Sequence, residues 1–437
     1  MTITEDFTQK LYDKFLADKT LQAVENAATK NGLLNALENR ASHAKNLPEF
    51  SIDLTKDKVT NQKQSGRCWM FAAMNTFRHP LIGDYNLKDF EFSQAYPFFW
   101  DKYEKANWFM EQIIQNPEMD DRRLKFLLQT PQQDGGQWDM IVAIFQKYGV
   151  VPKAIYPESE ASSNSRELNQ YLDKLLRQNA EILINAMKSG KDVAGIKEAM
   201  LHEVFNYLAA TLGLPPQEFD FAFRDKDGEN FTRFSGTPKD FYNKFVGTNL
   251  DDYVSIINAP TVDKPYNQSY SVEFLGNVVG GKPVKHLNVD MDRFKKLAIA
   301  QMQAGETVWF GCDVAQLSNR KDGLLTLDSY DFSAVGLNFT QSKAARLDYG
   351  ESLMTHAMVL AGVDLDEAGN PKQWKVENSW GKDAGSFDGY FVASDEWMDE
   401  YTYQIVVRKD LLTAEELKAY EAEPQVLLPW DPMGALA

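Results

Sequence analysis

Cysteine occurs at only two positions in this 437-residue chain, Cys68 and Cys312. Two thiols cannot make a disulfide framework in a chain this long, so buried apolar surface has to hold the fold. A hydrophobic content of 43%, with 12% aromatic residues, is ample for packed cores. The length predicts about three domain-sized units, or one large domain carrying insertions.

The first cysteine lies in Asn61–Phe77, NQKQSGRCWMFAAMNTF. Met70, Ala73, Met74 and Phe77 recur at helical spacing, which sets Cys68 at the mouth of an apolar helix. Buried free cysteines usually act as small hydrophobes. In a first helical turn, however, the dipole stabilises the thiolate and makes it a nucleophile. Cys312, inside the apolar strand-like run TVWFGCDV (307–314), reads as a core thiol.

A net charge of −17 without any Lys/Arg block counts against nucleic acid or an anionic membrane surface as partner. The first twenty residues, MTITEDFTQKLYDKFLADKT, are acidic and amphipathic and lack a core of signal-peptide length. No run of eighteen apolar residues exists to form a spanning helix, so no membrane association is expected. Together with the scarcity of cysteine, this reads as a cytoplasmic protein.

Five segments are expected. Residues 1–60 form a helical lead-in with a polar connection at 47–58, and 61–160 hold the Cys68 helix and the glycine loop QQDGGQWDM (132–140). Residues 161–290 read as a mainly helical or mixed insertion. Its first part carries the stripes Leu168, Leu172, Leu175, Leu176, Leu183 and, after Gly190, Ile196, Met200, Val204, Leu208; residues 214–285 show no clear pattern. Residues 291–425 open with a helix at 291–303 and form a β-subdomain. There SLMTHAMVLAGVDL (352–365) and KQWKVENSW (372–380) flank DEAGN as a hairpin. Residues 426–437 are the C-terminal tail.

A thiol nucleophile needs a base, a group to orient that base, and oxyanion donors. Five histidines are available. His43 and His79 sit in polar or turn-like sequence, His202 in mid-helix and His286 in a loop-like stretch, and each reads as a surface or packing residue. His356 lies in one hairpin strand, and the hairpin midpoint near 367–368 sets Asn378 across from it. A carboxamide there would fix the imidazole tautomer without adding charge, which suits a resting thiolate–imidazolium pair.

QKQSGRCWMFA and VENSWG resemble the nucleophile and asparagine segments of papain-like cysteine peptidases. QDGGQWDMIVAIFQKYGVVPKAIYP resembles their two-glycine, helix and tyrosine-proline stretch. Papain-like enzymes carry C-G-[SA]-C-[WY] around the nucleophile, whereas this chain has Ser65-Gly66-Arg67-Cys68-Trp69. Secreted relatives would join cysteines at the positions of Ser65 and Asp134, and both are replaced here. Arg67 before the cysteine, the 288-residue separation of Cys68 and His356, and the ending WDPMGALA narrow the resemblance to the aminopeptidase C and bleomycin hydrolase family.

That resemblance implies an α+β fold, a papain-like helical subdomain plus β-subdomain with a large insertion. It implies Cys68 as nucleophile, His356 as base and acid, Asn378 as orienting group and Gln62 as oxyanion donor. Gly135 and Gly136 would pair with the substrate backbone, and Trp380 would pack over the His–Asn pair. It offers no chemical role for Arg67. It implies peptide substrates, no cofactor, no metal, and a homohexamer. The tail LLPWDPMGALA is too apolar and too stiff for disorder, and eight extended residues reach roughly 26 Å. In the resembling family the tail fills the cleft and its carboxylate, here that of Ala437, meets the substrate amine. Two other readings stand beside this cysteine aminopeptidase: an endopeptidase with a displaced tail, and, remotely, a nucleic-acid-binding ring.

Overall fold

The computed structural model describes residues 1–437 apart from Lys56. Among the described residues, twelve strands join one mixed sheet. Its order runs Gln425–Leu427, Gln268–Val272, His286–Asn288, Tyr253–Ile257, Thr402–Arg408, Val308–Cys312, His356–Leu365, Pro371–Glu377, Tyr390–Ser394, Leu324–Leu325, Ser318–Asn319. Ile52–Asp53, within the polar connection, pairs with His356–Leu365.

Both faces of this sheet are covered. Alternate residues Trp309, Ala357 and Val359 pack toward the helices Cys68–Asp84 and Trp138–Tyr148. Phe310, Met358 and Leu360 point the other way, toward the helix Met291–Gln303 and Trp397. Two buried faces explain why the central strands are apolar at nearly every position.

The leucine stripes form the helices Arg166–Lys188 and Val193–Leu212, burying Leu168, Leu172, Leu176 and Leu183 on one and Met200, Val204 and Leu208 on the other. Gly190 and Gly213, at φ of +67° and +92°, end the two helices in a conformation that favours glycine.

The stretch 214–285 holds a separate hairpin, Phe219–Arg224 with Phe231–Gly236, then the helix Pro238–Phe245. Its last part departs from the expected division at 290. Tyr253–Ile257, Gln268–Val272 and His286–Asn288 are strands of the main sheet. His286 is thus a buried strand residue and not a loop residue. The sequence concealed this because Tyr253–Ile257 pairs with Thr402–Arg408, about 150 residues away, and such pairing leaves no local signature.

Candidate active site

The helix Cys68–Asp84 begins at the cysteine itself, and Arg67 at its cap makes no capping side-chain bond. The thiol is 2% exposed. It accepts a hydrogen bond from the Ala357 amide at 3.5 Å, so the residue after His356 touches the Cys68 sulfur. Burial pushes the thiol up to about 11, while the amides of Ala357, Trp69 and Cys68 act in the opposite direction.

His356 opens its strand, and its Nε2 lies 3.0 Å from Asn378 Oδ1. The expected partnership therefore forms, but not by direct opposition. Val359 pairs with Glu377 and Leu360 with Val376, with an irregularity at Gly362. Continuing that register sets Asn378 against Met358, so its side chain reaches His356 along the diagonal on the same face. Nε2–H donating to Asn378 leaves Nδ1 as the acceptor nitrogen. Trp380 covers the imidazole at a centroid distance of 5.0 Å. Burial pushes the imidazole down to about 4, and the Asn378 bond opposes this. Cys68 and His356 are thus both driven toward their neutral forms.

Gln62 sits in a loop closed by reciprocal bonds. Its Nε2 donates to the Ser65 carbonyl at 2.7 Å, and Ser65 Oγ donates to the Gln62 carbonyl at 2.7 Å. The Gln62 amide donates to the Ser379 carbonyl at 2.8 Å, tying this loop to the asparagine segment.

Gly135 and Gly136 are pressed against neighbours. A Cβ on Gly135 would stand 2.7 Å from a carboxylate oxygen of Ala437, and one on Gly136 2.5 Å from the Trp69 ring. Close approach, and not a turn, requires these glycines. The partner of Gly136 here is the tail: Gly136 and Ala437 exchange two backbone hydrogen bonds. Gln137 Nε2 adds one to the Ala435 carbonyl at 2.6 Å, and Ala437 is 5% exposed. Upstream, Trp430 lies under the Arg122 guanidinium and Asp431 pairs with Lys264 at 2.9 Å. The tail is not wholly extended, because Pro432–Gly434 makes a 3-10 turn.

Sequence reasoning passed over a charged network beneath these loops. Asp134 accepts from the Gly66 amide at 2.9 Å, from Asn169 at 2.8 Å, from Ser165, and pairs with Lys102 at 2.7 Å. Burial alone would raise this carboxyl, but Lys102 and the donors hold it well below the usual carboxylate range. The link from Asp134 to Gly66 thereby joins the glycine loop to the nucleophile loop without a disulfide. Lys105 donates to the Gly135 carbonyl at 2.7 Å and pairs with Asp101. Four buried charged residues, Asp101, Lys102, Glu104 and Lys105, in the aromatic-rich helix Ala95–Gln115 were the available signal.

Two residues gain positions that their sequence contexts hid. Arg67 is fully buried, forks onto Glu158 at 3.1 and 2.9 Å and stacks on Phe71 and Phe98. It holds the loop before the nucleophile. His79 is buried and 2.6 Å from Glu377, which Arg78 also meets at 3.0 Å. Burial opposes the Glu377 charge, yet these two partners hold its carboxyl below the ordinary value. The nucleophile helix is thus clamped to the residue preceding Asn378. Cys312 is buried and its thiol is pushed well up by burial, as expected of a core thiol.

With a thiol at a helix start, a histidine–asparagine pair and a glycine rim on one cleft, the geometry is that of a cysteine peptidase. The sequence profile of the Peptidase C1-like family matches residues 2–434, and the chain belongs to that family. It is 77% identical to aminopeptidase C of Lactococcus lactis subsp. lactis (strain IL1403), with all of both chains covered. Human bleomycin hydrolase is 40% identical, over 98% of this chain and 97% of that protein. The crystal structure of PepW from Lactobacillus rhamnosis HN001 superposes with a TM-score of 0.97 at 50% identity, covering 100% and 99% of the two chains.

Proposed function

We propose that the protein is a cysteine aminopeptidase of broad specificity acting on peptides through a thioester. The observation that supports this reading is the docking of the tail on the glycine loop, where Gly136 and Ala437 exchange two hydrogen bonds. A substrate amine meets the Ala437 carboxylate, a contact worth roughly 1–4 kcal/mol at about 4 Å depending on screening. The scissile carbonyl then lies at Cys68. His356 Nδ1 takes the thiol proton as sulfur attacks, the Gln62 side-chain Nε2–H and the Cys68 backbone N–H receive the oxyanion, and His356 returns the proton to the leaving amine. Water, deprotonated by His356, releases the acyl group.

Association and location belong to the same reading. Phe7, Leu11 and Phe15 line one face of the helix Glu5–Ala17, which buries none of its residues, and this supports assembly of copies, as in a hexamer. No helix among the described residues is long and apolar enough to cross a membrane. Two free, buried cysteines suit a reducing, cytoplasmic compartment.

A panel of aminoacyl arylamides and their N-acetylated counterparts tests the activity. Hydrolysis of the free-amine substrates alone supports the aminopeptidase. Equal hydrolysis of both sets points to an endopeptidase, and hydrolysis of neither sinks the enzymatic reading.

A further inference from the structure

The ring that covers the His356 imidazole carries a second layer that the reaction scheme leaves unused. Arg320 places its guanidinium carbon 4.6 Å from the centre of Trp380, a ring that also meets the His356 imidazole and Phe391. Arg320 is exposed, and its guanidinium joins no ion pair among the described residues. The nearby acid in its own loop is occupied elsewhere: Asp322 is 3.2 Å from His43 and accepts from Asn319 at 2.7 Å.

The loop that bears Arg320 is held by its own hydrogen bonds. Asn319 Oδ1 accepts from the Asp322 amide at 3.2 Å, and the Asn319 carbonyl accepts from the Gly323 amide at 2.9 Å. Gly323 has a φ of +73° and its two neighbouring strands, Ser318–Asn319 and Leu324–Leu325, pair antiparallel. This turn and the His43 contact hold the backbone, while the stacked ring orients the guanidinium. An unpaired cation in a chain of net charge −17, fixed on an aromatic face, offers N–H donors to a carboxylate.

Its position defines which carboxylate. With the substrate amine at Ala437 and the scissile carbonyl at Cys68, the leaving group extends away from the tail, past His356 and Trp380. One residue spans roughly 3.5 Å, so the terminal carboxylate of a leaving group one or two residues long falls at the Trp380 ring. We propose that Arg320 is a specificity-determining residue that binds the terminal carboxylate of dipeptide and tripeptide substrates. The inference rests on the aminopeptidase reading of the same cleft.

The test compares a dipeptide bearing a free carboxylate, its carboxyl-terminal amide, and an aminoacyl arylamide, using full-length enzyme and the variants Arg320→Gln, Arg320→Lys and Arg320→Glu. In Arg320→Gln, kcat/KM for the free dipeptide should fall about tenfold, chiefly through KM, as expected for loss of one charge-assisted contact. The amide and the arylamide should change less than twofold, which also shows that the variant is folded. Arg320→Lys should retain part of the preference, and Arg320→Glu should favour the amide. Equal changes on dipeptide and amide would overturn the assignment while leaving the aminopeptidase intact. Absence of arylamide hydrolysis in the unaltered enzyme would bring down both.

Discussion

The Gly136 amide donates to a carboxylate oxygen of Ala437 at 3.2 Å, and the Ala437 amide donates back to the Gly136 carbonyl at 3.3 Å. This two-bond pairing is the start of a strand ladder between the glycine loop and the chain's own last residues. An extended peptide approaching from that side would need the same Gly136 groups. In the proposed reading the tail competes with long substrates for these contacts, and the clamped residues Trp430 and Asp431 before it keep it in place.

Removing Gly434–Ala437 should free the Gly136 groups and leave Cys68, His356 and Asn378 in position. Activity on an aminoacyl arylamide should drop, and its N-acetyl dipeptide counterpart should become cleavable. Residues added beyond Ala437 should depress activity on free N-termini. The ratio of the two rates is the measurement, and an unchanged ratio after truncation would show that the tail does not restrict the cleft.

Cys68→Ala should abolish hydrolysis with folding intact, whereas Cys312→Ser should remain active. Iodoacetamide should inactivate by modifying a single site. Peptide mapping that placed the label on Cys312 would refute Cys68 as nucleophile.

Gln62→Ala should lower kcat by roughly 10²–10³-fold through loss of one oxyanion donor. Asn378→Ala should also reduce kcat, because the imidazole loses the acceptor at 3.0 Å that fixes its tautomer. Wild-type rates in both variants would mean that these groups do not act on the reaction.

Asp134→Ala leaves the Lys102 ammonium, which is fully buried, without its carboxylate. Removal of one partner from a buried pair costs about 3–5 kcal/mol, so thermal unfolding should shift down by several degrees. Adding Lys102→Met should recover part of the loss. A single variant as stable as the parent would show that the network does not hold the two loops together.

His286 is buried beside Ser255 at 2.7 Å, and burial pushes its imidazole down to about 4. Between pH 6.5 and 4 the unfolded chain binds a proton that the folded protein refuses. Stability from this group is therefore present above pH 6.5 and is lost as pH falls toward 4. Between pH 7 and 5 the loss is about 2 kcal/mol. His286→Asn should flatten the fall in melting temperature over that interval, and an unchanged slope would exclude His286 as its source.

Much of this protein could be read directly from residues close together in the chain. The Cys68 helix, the two leucine-striped helices and the His356 hairpin all advertise themselves by short-range periodicity and turn residues, which local sequence records well. Cys68, His356, Asn378, Gln62, Gly135 and Gly136 carried motif resemblance, so the candidate site was legible before any geometry.

Other features needed the tertiary structure. The sheet takes Tyr253–Ile257 and Gln268–Val272 from an unpatterned stretch because distant strands complete them. Asp134 meets Gly66 across 68 residues, and Glu377 meets His79 across 298, so neither pair leaves a local pattern. The diagonal reach of Asn378 depends on an irregularity near Gly362. The electrostatic state was also decided there. Sequence placed a thiol beside a histidine, but only burial by both subdomains drives the two toward neutrality, because desolvation depends on everything packed around a group and not on its neighbours in the chain.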